Sequence, residues 1–184
     1  MHVFWERGYA TTSLTDLLGV LGIGLSSFYN AFGSKQGLYL AALDRYGERT
    51  LAALCDALGG PAPVVPRLRA HFGRVAEESL RETPNRGCLL VNATVERAPH
   101  DPEVRRRVDE QFARNLEAFR EALERARDAG EIGPAVDLPA AAAHLVNAYH
   151  GLRVTGKARK DPAVLAGIVD LTIAALGPPV PEGR

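Results

Sequence analysis

Apolar residues recur along this chain at intervals of three and four, which places them on one face of an α-helix. Alternation of apolar and polar residues, the pattern of a half-buried β-strand, is nowhere convincing. The clearest interruption is the run GGPAPVVP at residues 59–66, where glycine and proline break the helical pattern. The pattern therefore predicts an all-α protein.

Glycines and N-capping residues divide the N-terminal part of the chain, after a short opening segment, into three helices. Thr12 or Ser13 is placed to cap the first helix, and Ser34 caps the third. Gly22 and Gly33 stand where the first two helices end. The predicted helices occupy residues 14–21, 25–31 and 35–58.

Five further helices are predicted from the same spacing, with a turn at Pro84 and a proline-rich tail after the last one. They cover residues 68–80, 87–97, 101–129, 139–158 and 162–176. The longest carries a stripe of apolar residues that we expect to face a core. The stripe consists of Val104, Val108, Phe112, Leu116, Phe119, Leu123 and Ala126.

The last helix has two adjoining apolar stripes, which together cover about half of its circumference. A one-sided surface helix needs only about 100°. Two partners are therefore expected for this helix, its own domain and a second copy of the chain. We predict a homodimer through the last two helices, with an interface at Leu145, Leu152, Leu165, Ile168 and Thr172.

The stretch LGIGLSSFYNAFGSKQGL, residues 21–38, raises three structural alternatives. A phosphate-binding glycine loop is excluded, because a helix precedes the stretch and the Gly-Lys-Ser order is missing. A helix, a glycine corner and a short second helix form a helix-turn-helix, whose second helix enters the DNA major groove. A plain helical hairpin with a tight corner fits the pattern equally well.

The side chains of the second helix suit the DNA-binding alternative. Ile23, Phe28 and Phe32 form an apolar side that can hold the helix in place. The remaining positions would face outward with hydroxyl and amide groups suited to phosphate oxygens and base edges. These outward positions are Leu25, Ser26, Ser27, Tyr29 and Asn30.

The run ERGYATTSLTDLLGVLGIGLSSFYNAFGSKQGLYLAALDRY, residues 6–46, resembles the DNA-binding end of the tetracycline-repressor (TetR) family. Its marks are Gly-Tyr-x-x-Thr-Ser, Leu-x-x-Leu-x-x-x-Leu-Gly-Ile, and Phe-Tyr-x-x-Phe-Gly-Ser-Lys before a long helix. The rest of the chain resembles the family in helix count and order. The segment Arg-Gly-Cys-Leu-Leu-Val-Asn at residues 86–92 is similar to the regulatory half of one subgroup.

The resemblance implies a homodimeric transcriptional repressor that binds double-stranded operator DNA and is released by a small organic effector. It implies a helix-turn-helix DNA-binding domain at residues 1–46 and a C-terminal antiparallel helical domain for ligand binding and dimerisation at residues 47–184. Carried over by position, Leu25, Ser26, Ser27 and Asn30 would lie nearest base edges. The residues placed at phosphates would be Thr12, Ser13, Tyr29 and Lys35.

Charge and length depart from the family pattern. The whole chain has 22 basic and 22 acidic residues, and residues 1–46 also balance to zero without histidine. Gly24-Leu25 stands where many members have Ser-Lys or Ser-Arg. Residues 1–7 also match only the second half of the family's first helix. We therefore expect this helix to be truncated and a basic stretch to precede Met1.

The chemistry of the remaining residues points to no enzyme and no cofactor. Nucleophilic catalysis lacks a strand and a nucleophile elbow. His71, His144 and Asn147 have no tight metal-ligand spacing. Cys55 and Cys88 suit two buried thiols in a reducing cytoplasm, and no apolar run is long enough to span a membrane.

The candidate effector site is a core in the C-terminal part, suited to an uncharged or weakly polar molecule. Its candidate residues also fit ordinary core packing or, for the asparagine, a surface position. A dimeric helical sensor that does not bind DNA remains the alternative function. The candidate ligand-binding residues are Cys88, Asn92, Phe112, Leu116, Phe119 and Tyr149.

Overall fold

The computed structural model describes residues 1–61, 63–83 and 85–177. In this part of the chain every regular element is an α-helix, and there are nine of them. The all-α prediction is confirmed. In chain order the helices are α1 (His2–Arg7), α2 (Leu14–Leu21), α3 (Leu25–Phe32), α4 (Lys35–Leu58), α5 (Val64–Arg81), α6 (Leu89–Glu96), α7 (Pro102–Asp128), α8 (Leu138–Ala158) and α9 (Pro162–Ala174).

The predicted helix ends near the N-terminus are confirmed, with the local reasons visible. Ser13 is the N-cap of α2, and its hydroxyl accepts the Asp16 N–H while the Asp16 carboxylate accepts the Ser13 N–H. Gly22 ends α2 with φ 65° and Gly33 ends α3 with φ 68°, a left-handed region that favours glycine. The predicted turn at Pro84 and the tail at residues 178–184 lie outside the described residues.

The chain forms two compact units. One contains Met1–Arg49 and Cys88–Gln111, and the other contains Thr50–Gly87 and the chain from Phe112 onward. We call them the N-terminal unit and the C-terminal unit. The domain boundary between residues 46 and 47 stays a prediction. The N-terminal unit also includes Cys88–Gln111, a segment that lies within the predicted C-terminal domain of residues 47–184.

Aromatic side chains build much of the core of the N-terminal unit. The ring of Phe4 meets that of Tyr39 edge-on at a centroid distance of 5.1 Å. Trp5 meets Tyr46 in the same way at 5.0 Å. All four side chains are buried, so they fasten the short helix α1 to α4.

The core of the C-terminal unit is mainly aliphatic, includes the rings of Phe72, Phe119 and Tyr149, and extends over helices α4, α5, α7, α8 and α9. Helices α5, α8 and α9 pack against one another. No helix in the described ranges is both long and apolar enough to cross a lipid bilayer.

The buried face of α7 differs from the predicted stripe. Leu116 is 39% exposed, whereas Gln111 and Asn115 are buried, with 6% and 4% exposure. The buried residues of α7 are Val104, Val108, Gln111, Asn115, Phe119, Ala122, Leu123 and Ala126, so five of the seven predicted positions are buried. The prediction that Leu116 faces a core is wrong, because the buried face includes two polar amides that a search for apolar residues passes over.

The predicted dimer interface also needs correction. Leu145, Leu152 and Leu165 have no exposed surface in the protomer, and Thr172 is 3% exposed. All three leucines belong to the protomer's own hydrophobic core. These side chains have no surface to offer a second copy, so their assignment to an interface is wrong. Ile168 is partly exposed.

Candidate nucleic-acid interface and ligand pocket

Helix α3 is held in place by one buried ring. Phe28 is fully buried, and its centroid lies 5.5 Å from that of Phe32. Gly24 is the N-cap of α3 and has an extended backbone conformation. A Cβ added to Gly24 would meet no atom within 4 Å. The short helix is therefore fixed from one side only.

The opposite side of α3 is open to solvent, as predicted. Leu25 is 51% exposed and Tyr29 is 48% exposed. Ser26, Ser27 and Asn30 are exposed as well. Five side chains with hydroxyl, amide and methyl groups thus cover a broad exposed face of α3, while the role of each in DNA contact stays a prediction.

The two predicted phosphate ligands before α2 differ in accessibility. Thr12 is fully buried, and its hydroxyl donates to the Gly8 carbonyl oxygen at 2.6 Å. Its assignment to a phosphate is corrected, because the hydroxyl closes the turn between α1 and α2. Ser13 is exposed, but its hydroxyl bonds to Asp16, whose pKa is lowered chiefly by this side-chain hydrogen bond.

Lys35 is partly buried at the start of α4. Its Nζ lies 4.3 Å from the centroid of the Tyr9 ring. The guanidinium of Arg97 lies 4.4 Å from the same centroid. The side chains of Lys35 and Arg97 therefore both contact the ring of Tyr9. Lys35 remains partly exposed to solvent, but this contact restricts its position.

A carboxylate from α6 holds the turn that leads into the helix-turn-helix. Glu96 accepts the backbone N–H groups of Tyr9 at 3.0 Å and Ala10 at 2.8 Å. A Cβ at Gly8, where φ is 86°, would lie 3.0 Å from the Glu96 carboxylate. Glycine at this position thus permits both the backbone conformation and the close approach.

A second carboxylate supports the same region of the N-terminal unit. Asp101 accepts hydrogen bonds from Arg97 at 2.7 Å and from Gln36 at 3.1 Å. Burial raises the pKa of Asp101, but hydrogen bonds from the Val104 N–H and from Arg97 outweigh it and lower the pKa overall. Sequence reasoning missed the contacts of Glu96 with Tyr9 and Ala10 and of Asp101 with Gln36, because these partners lie 65 or more positions away along the chain.

The C-terminal unit contains a pocket of about 440 Å³ between α4, α5 and α8. None of the six predicted ligand residues lines this pocket. Tyr149 stacks on the lining residue His71, with 5.7 Å between the two ring centroids. Cys88 and Asn92 belong to the N-terminal unit. The lining consists of Ala53, Asp56, Ala57, His71, Arg74, Val75, Glu78 and Arg153.

His71 is the most deeply buried polar residue of this pocket. Burial first, and then the charges of Arg74 and Arg153, lower its pKa to about 4. Arg74 lies 3.2 Å from the ring Nδ1 and can only donate, so Nδ1 accepts and Nε2 carries the proton. Within the described part of the chain this buried Nε2–H has no acceptor, which costs about 1–3 kcal/mol.

Phe112, predicted to line a pocket, instead packs against a second histidine. Its ring centroid lies 4.7 Å from that of His150, and Tyr149 meets His150 edge-on at 5.1 Å. Burial, and then Arg153, lower the pKa of His150 to about 4. Phe119 is a core residue stacked on Phe72 at 6.0 Å.

The two cysteines of the chain differ in their exposure to solvent. Cys88 is buried, and Cys55 is exposed rather than buried as expected. Across residues 1–61, 63–83 and 85–177, no three histidine, cysteine, aspartate or glutamate side chains lie close enough together to hold a metal ion.

Comparison with known families identifies the chain. Residues 1–42 match "Bacterial regulatory proteins, tetR family", and residues 64–171 match "Tetracyclin repressor-like, C-terminal domain". The chain therefore belongs to the TetR family. It is a helix-turn-helix regulator of transcription, a class of proteins that act by binding DNA rather than as enzymes.

Individual relatives extend the similarity over nearly the whole chain. YezE of Bacillus subtilis, an uncharacterized HTH-type transcriptional regulator, is 35% identical over 178 residues, which are 96% of this chain and 91% of YezE. The HTH-type transcriptional repressor ComR of Escherichia coli is 26% identical over 162 residues, which are 85% of this chain and 75% of ComR.

A solved complex with DNA has the same fold. It contains a cysteine mutant of the TetR family transcriptional regulator CifR with a 26-base-pair double-stranded operator DNA. The TM-score is 0.83 at 28% sequence identity, and the match covers 95% of this chain and 91% of CifR.

Proposed function

We propose that this protein is a cytoplasmic transcriptional repressor that binds operator DNA through α3 as a homodimer and is released by a small organic ligand. The observation that carries the proposal is the exposed face of α3, where five side chains are accessible while the buried ring of Phe28 holds the helix in place. Membership of the TetR family, the repressor ComR and the operator complex of CifR support it.

Within α3 we assign base reading to Leu25, Ser26, Ser27 and Asn30. The amide of Asn30 can bond to adenine in the major groove, and the methyl groups of Leu25 can contact the methyl group of thymine. Ser13, Tyr29 and Lys35 are assigned to phosphates, which set position without reading sequence. Thr12 acts indirectly, because its buried hydroxyl shapes the turn before α2.

Selection of bound sequences from random DNA, followed by variant binding, tests this division of roles. Asn30→Ala should change the preferred bases, because a base contact carries about 1–3 kcal/mol of discrimination. Tyr29→Phe and Lys35→Ala should weaken binding to all sequences alike. An equal loss on every operator variant for Asn30→Ala would remove Asn30 from the base-reading residues.

The alternative function is a dimeric sensor that does not bind DNA. It is favoured by the zero charge balance of residues 1–46 and by the contact of Lys35 with Tyr9. If random-sequence selection recovers no DNA above a control without protein, this alternative replaces the repressor.

The homodimer is proposed to form through an exposed apolar stripe on α9. Leu171 is 74% exposed and Val164 is 38% exposed, and Ile168 lies between them. On α8, Val154 is 47% exposed. These side chains replace the four buried residues that the sequence pattern assigned to the interface.

Charge substitution in this stripe tests the dimer. Leu171→Glu should give monomers in light scattering at micromolar concentration, since it places a charge in an apolar interface. Val95→Glu is a matched control, because Val95 is 76% exposed on α6 and lies in the N-terminal unit. A dimer that persists in Leu171→Glu would place the interface elsewhere.

A further inference from the structure

Three of the side chains that line the pocket of the C-terminal unit carry hydrogen-bond donors. They are the guanidinium groups of Arg74 and Arg153 and the Nε2–H of His71. His71 is 5% exposed, and its Nε2 has no acceptor within the described residues. A buried donor without an acceptor, beside two cations, forms a site for an acceptor that carries negative charge.

The acceptors that line the pocket do not satisfy this site. Glu78 contacts Arg153 at 3.6 Å, and its side chain is 51% exposed. Asp56 is exposed, and no ion pair joins it to Arg74 within the described ranges. Both carboxylates are therefore able to turn toward water, whereas the imidazole of His71 is held by its stacking on Tyr149.

The charges and walls of the pocket limit the anion that fits. Arg74 and Arg153 are the cations of the lining, and Asp56 and Glu78 are its carboxylates, so each additional negative charge on a ligand adds repulsion that no further cation offsets. Ala53, Ala57 and Val75 present methyl groups to the same space. A single charged head on a hydrocarbon body suits both features, and 440 Å³ is within the range of small-molecule sites.

We propose that this pocket binds a small organic monocarboxylic acid, whose carboxylate accepts hydrogen bonds from Arg74, Arg153 and His71. This inference rests on the proposed function in one respect: the bound acid is the ligand that releases operator DNA. It replaces the uncharged ligand that the apolar residues of α7 suggested. The hydrocarbon part lies against the alanine and valine side chains.

Calorimetric titration of the full-length protein tests the chemistry of the site. The probes are octanoate and benzoate, their neutral analogues octanamide and benzamide, and inorganic phosphate. At least one carboxylate should bind saturably and raise the melting temperature, while its amide and phosphate should not. Equal binding of acid and amide, or no saturable binding of either acid up to about 10 mM, would overturn the proposal.

Variants locate the binding. Arg74→Gln should weaken carboxylate binding about 10-fold or more, because it removes a charged donor from the site. His71→Phe keeps an aromatic ring against Tyr149, removes the Nε2–H and should also weaken binding. Arg69→Gln is the matched control, since Arg69 lies on the same helix and pairs with Asp170 outside the pocket. A loss in Arg69→Gln equal to that in Arg74→Gln would refute the location.

Operator affinity measured with and without the acid separates this site from the proposed function. Release of DNA by octanoate or benzoate, lost in Arg74→Gln, supports both. Carboxylate binding without any change in DNA affinity supports the site and contradicts its regulatory role. Release of DNA by an amide that binds equally well to Arg74→Gln supports a ligand-responsive repressor and overturns the carboxylate site.

Discussion

Helix α3 and the pocket of the C-terminal unit present polar groups in opposite ways. On α3 the polar side chains face solvent, and a single buried ring, Phe28, holds the helix that carries them. In the pocket the key polar group, His71, is buried, and residues from α4, α5 and α8 surround it. The side chains proposed to read DNA need only a fixed backbone, whereas the proposed anion site needs several helices brought together.

The difference has an energetic side. Exposed hydroxyl and amide groups remain hydrogen-bonded to water until DNA replaces it, so they place little strain on the fold. A buried imidazole without an acceptor lowers stability until a ligand supplies one. Substitutions on the exposed face of α3 should therefore affect stability little, whereas substitutions of the buried polar group in the pocket should affect it more.

The largest expected effect concerns the attachment of α3. Phe28→Ala should destabilise the N-terminal unit by about 3–5 kcal/mol, because it empties the site of a fully buried ring. Tyr29→Ala, at the neighbouring exposed position, should change stability by less than about 0.5 kcal/mol. Denaturant unfolding of both variants measures the contrast, and similar losses would show that α3 is held by more than one ring.

The next effect concerns the buried histidines. Folding lowers the pKa of His71 and of His150 from 6.5 to about 4, so the unfolded chain binds more protons between these values. Their stability contribution is complete above pH 6.5 and is lost as pH falls toward 4. Between pH 7 and pH 5 each histidine should lower the free energy of unfolding by about 2 kcal/mol.

Urea unfolding at pH 7 and pH 5 measures this loss. The double variant His71→Phe and His150→Phe should remove most of the difference, because phenylalanine takes up no proton. A bound carboxylate should also reduce the part due to His71, since a negative charge beside the imidazole raises its pKa. An unchanged pH dependence in the double variant would assign it to other groups.

The smallest effect concerns the support of the α1–α2 turn. Glu96→Gln should lower stability by about 1–2 kcal/mol, because the two backbone N–H groups bond to different carboxylate oxygens and an amide keeps only one acceptor oxygen. Glu110→Gln is the control: Glu110 pairs with Arg106 on an exposed face of α7, where an ion pair contributes little. Equal effects of the two changes would mean that Glu96 does not anchor the turn.

Local chemistry explains which parts of the fold were predictable. The ends of α2 and α3 follow from Ser13, Gly22 and Gly33, whose effects act within a few residues. The exposed face of α3 follows from helical periodicity, because the positions away from the buried Phe28 point to the other side of the helix. The exposed apolar stripe on α9, which is proposed as the dimer interface, was only partly predictable, because the broad apolar surface does not show which half the protomer itself buries.

The sequence by itself determined the all-α class, the ends of α2 and α3 and the outward face of α3, because these depend on neighbours three or four positions apart. Only the tertiary structure decided which face of α7 is buried, which residues of α9 remain exposed, that Glu96 anchors Tyr9 and Ala10, and that His71, Arg74 and Arg153 share a pocket. These features join side chains that are distant along the chain. Their partners are chosen by the packing of helices, and no local pattern records that choice.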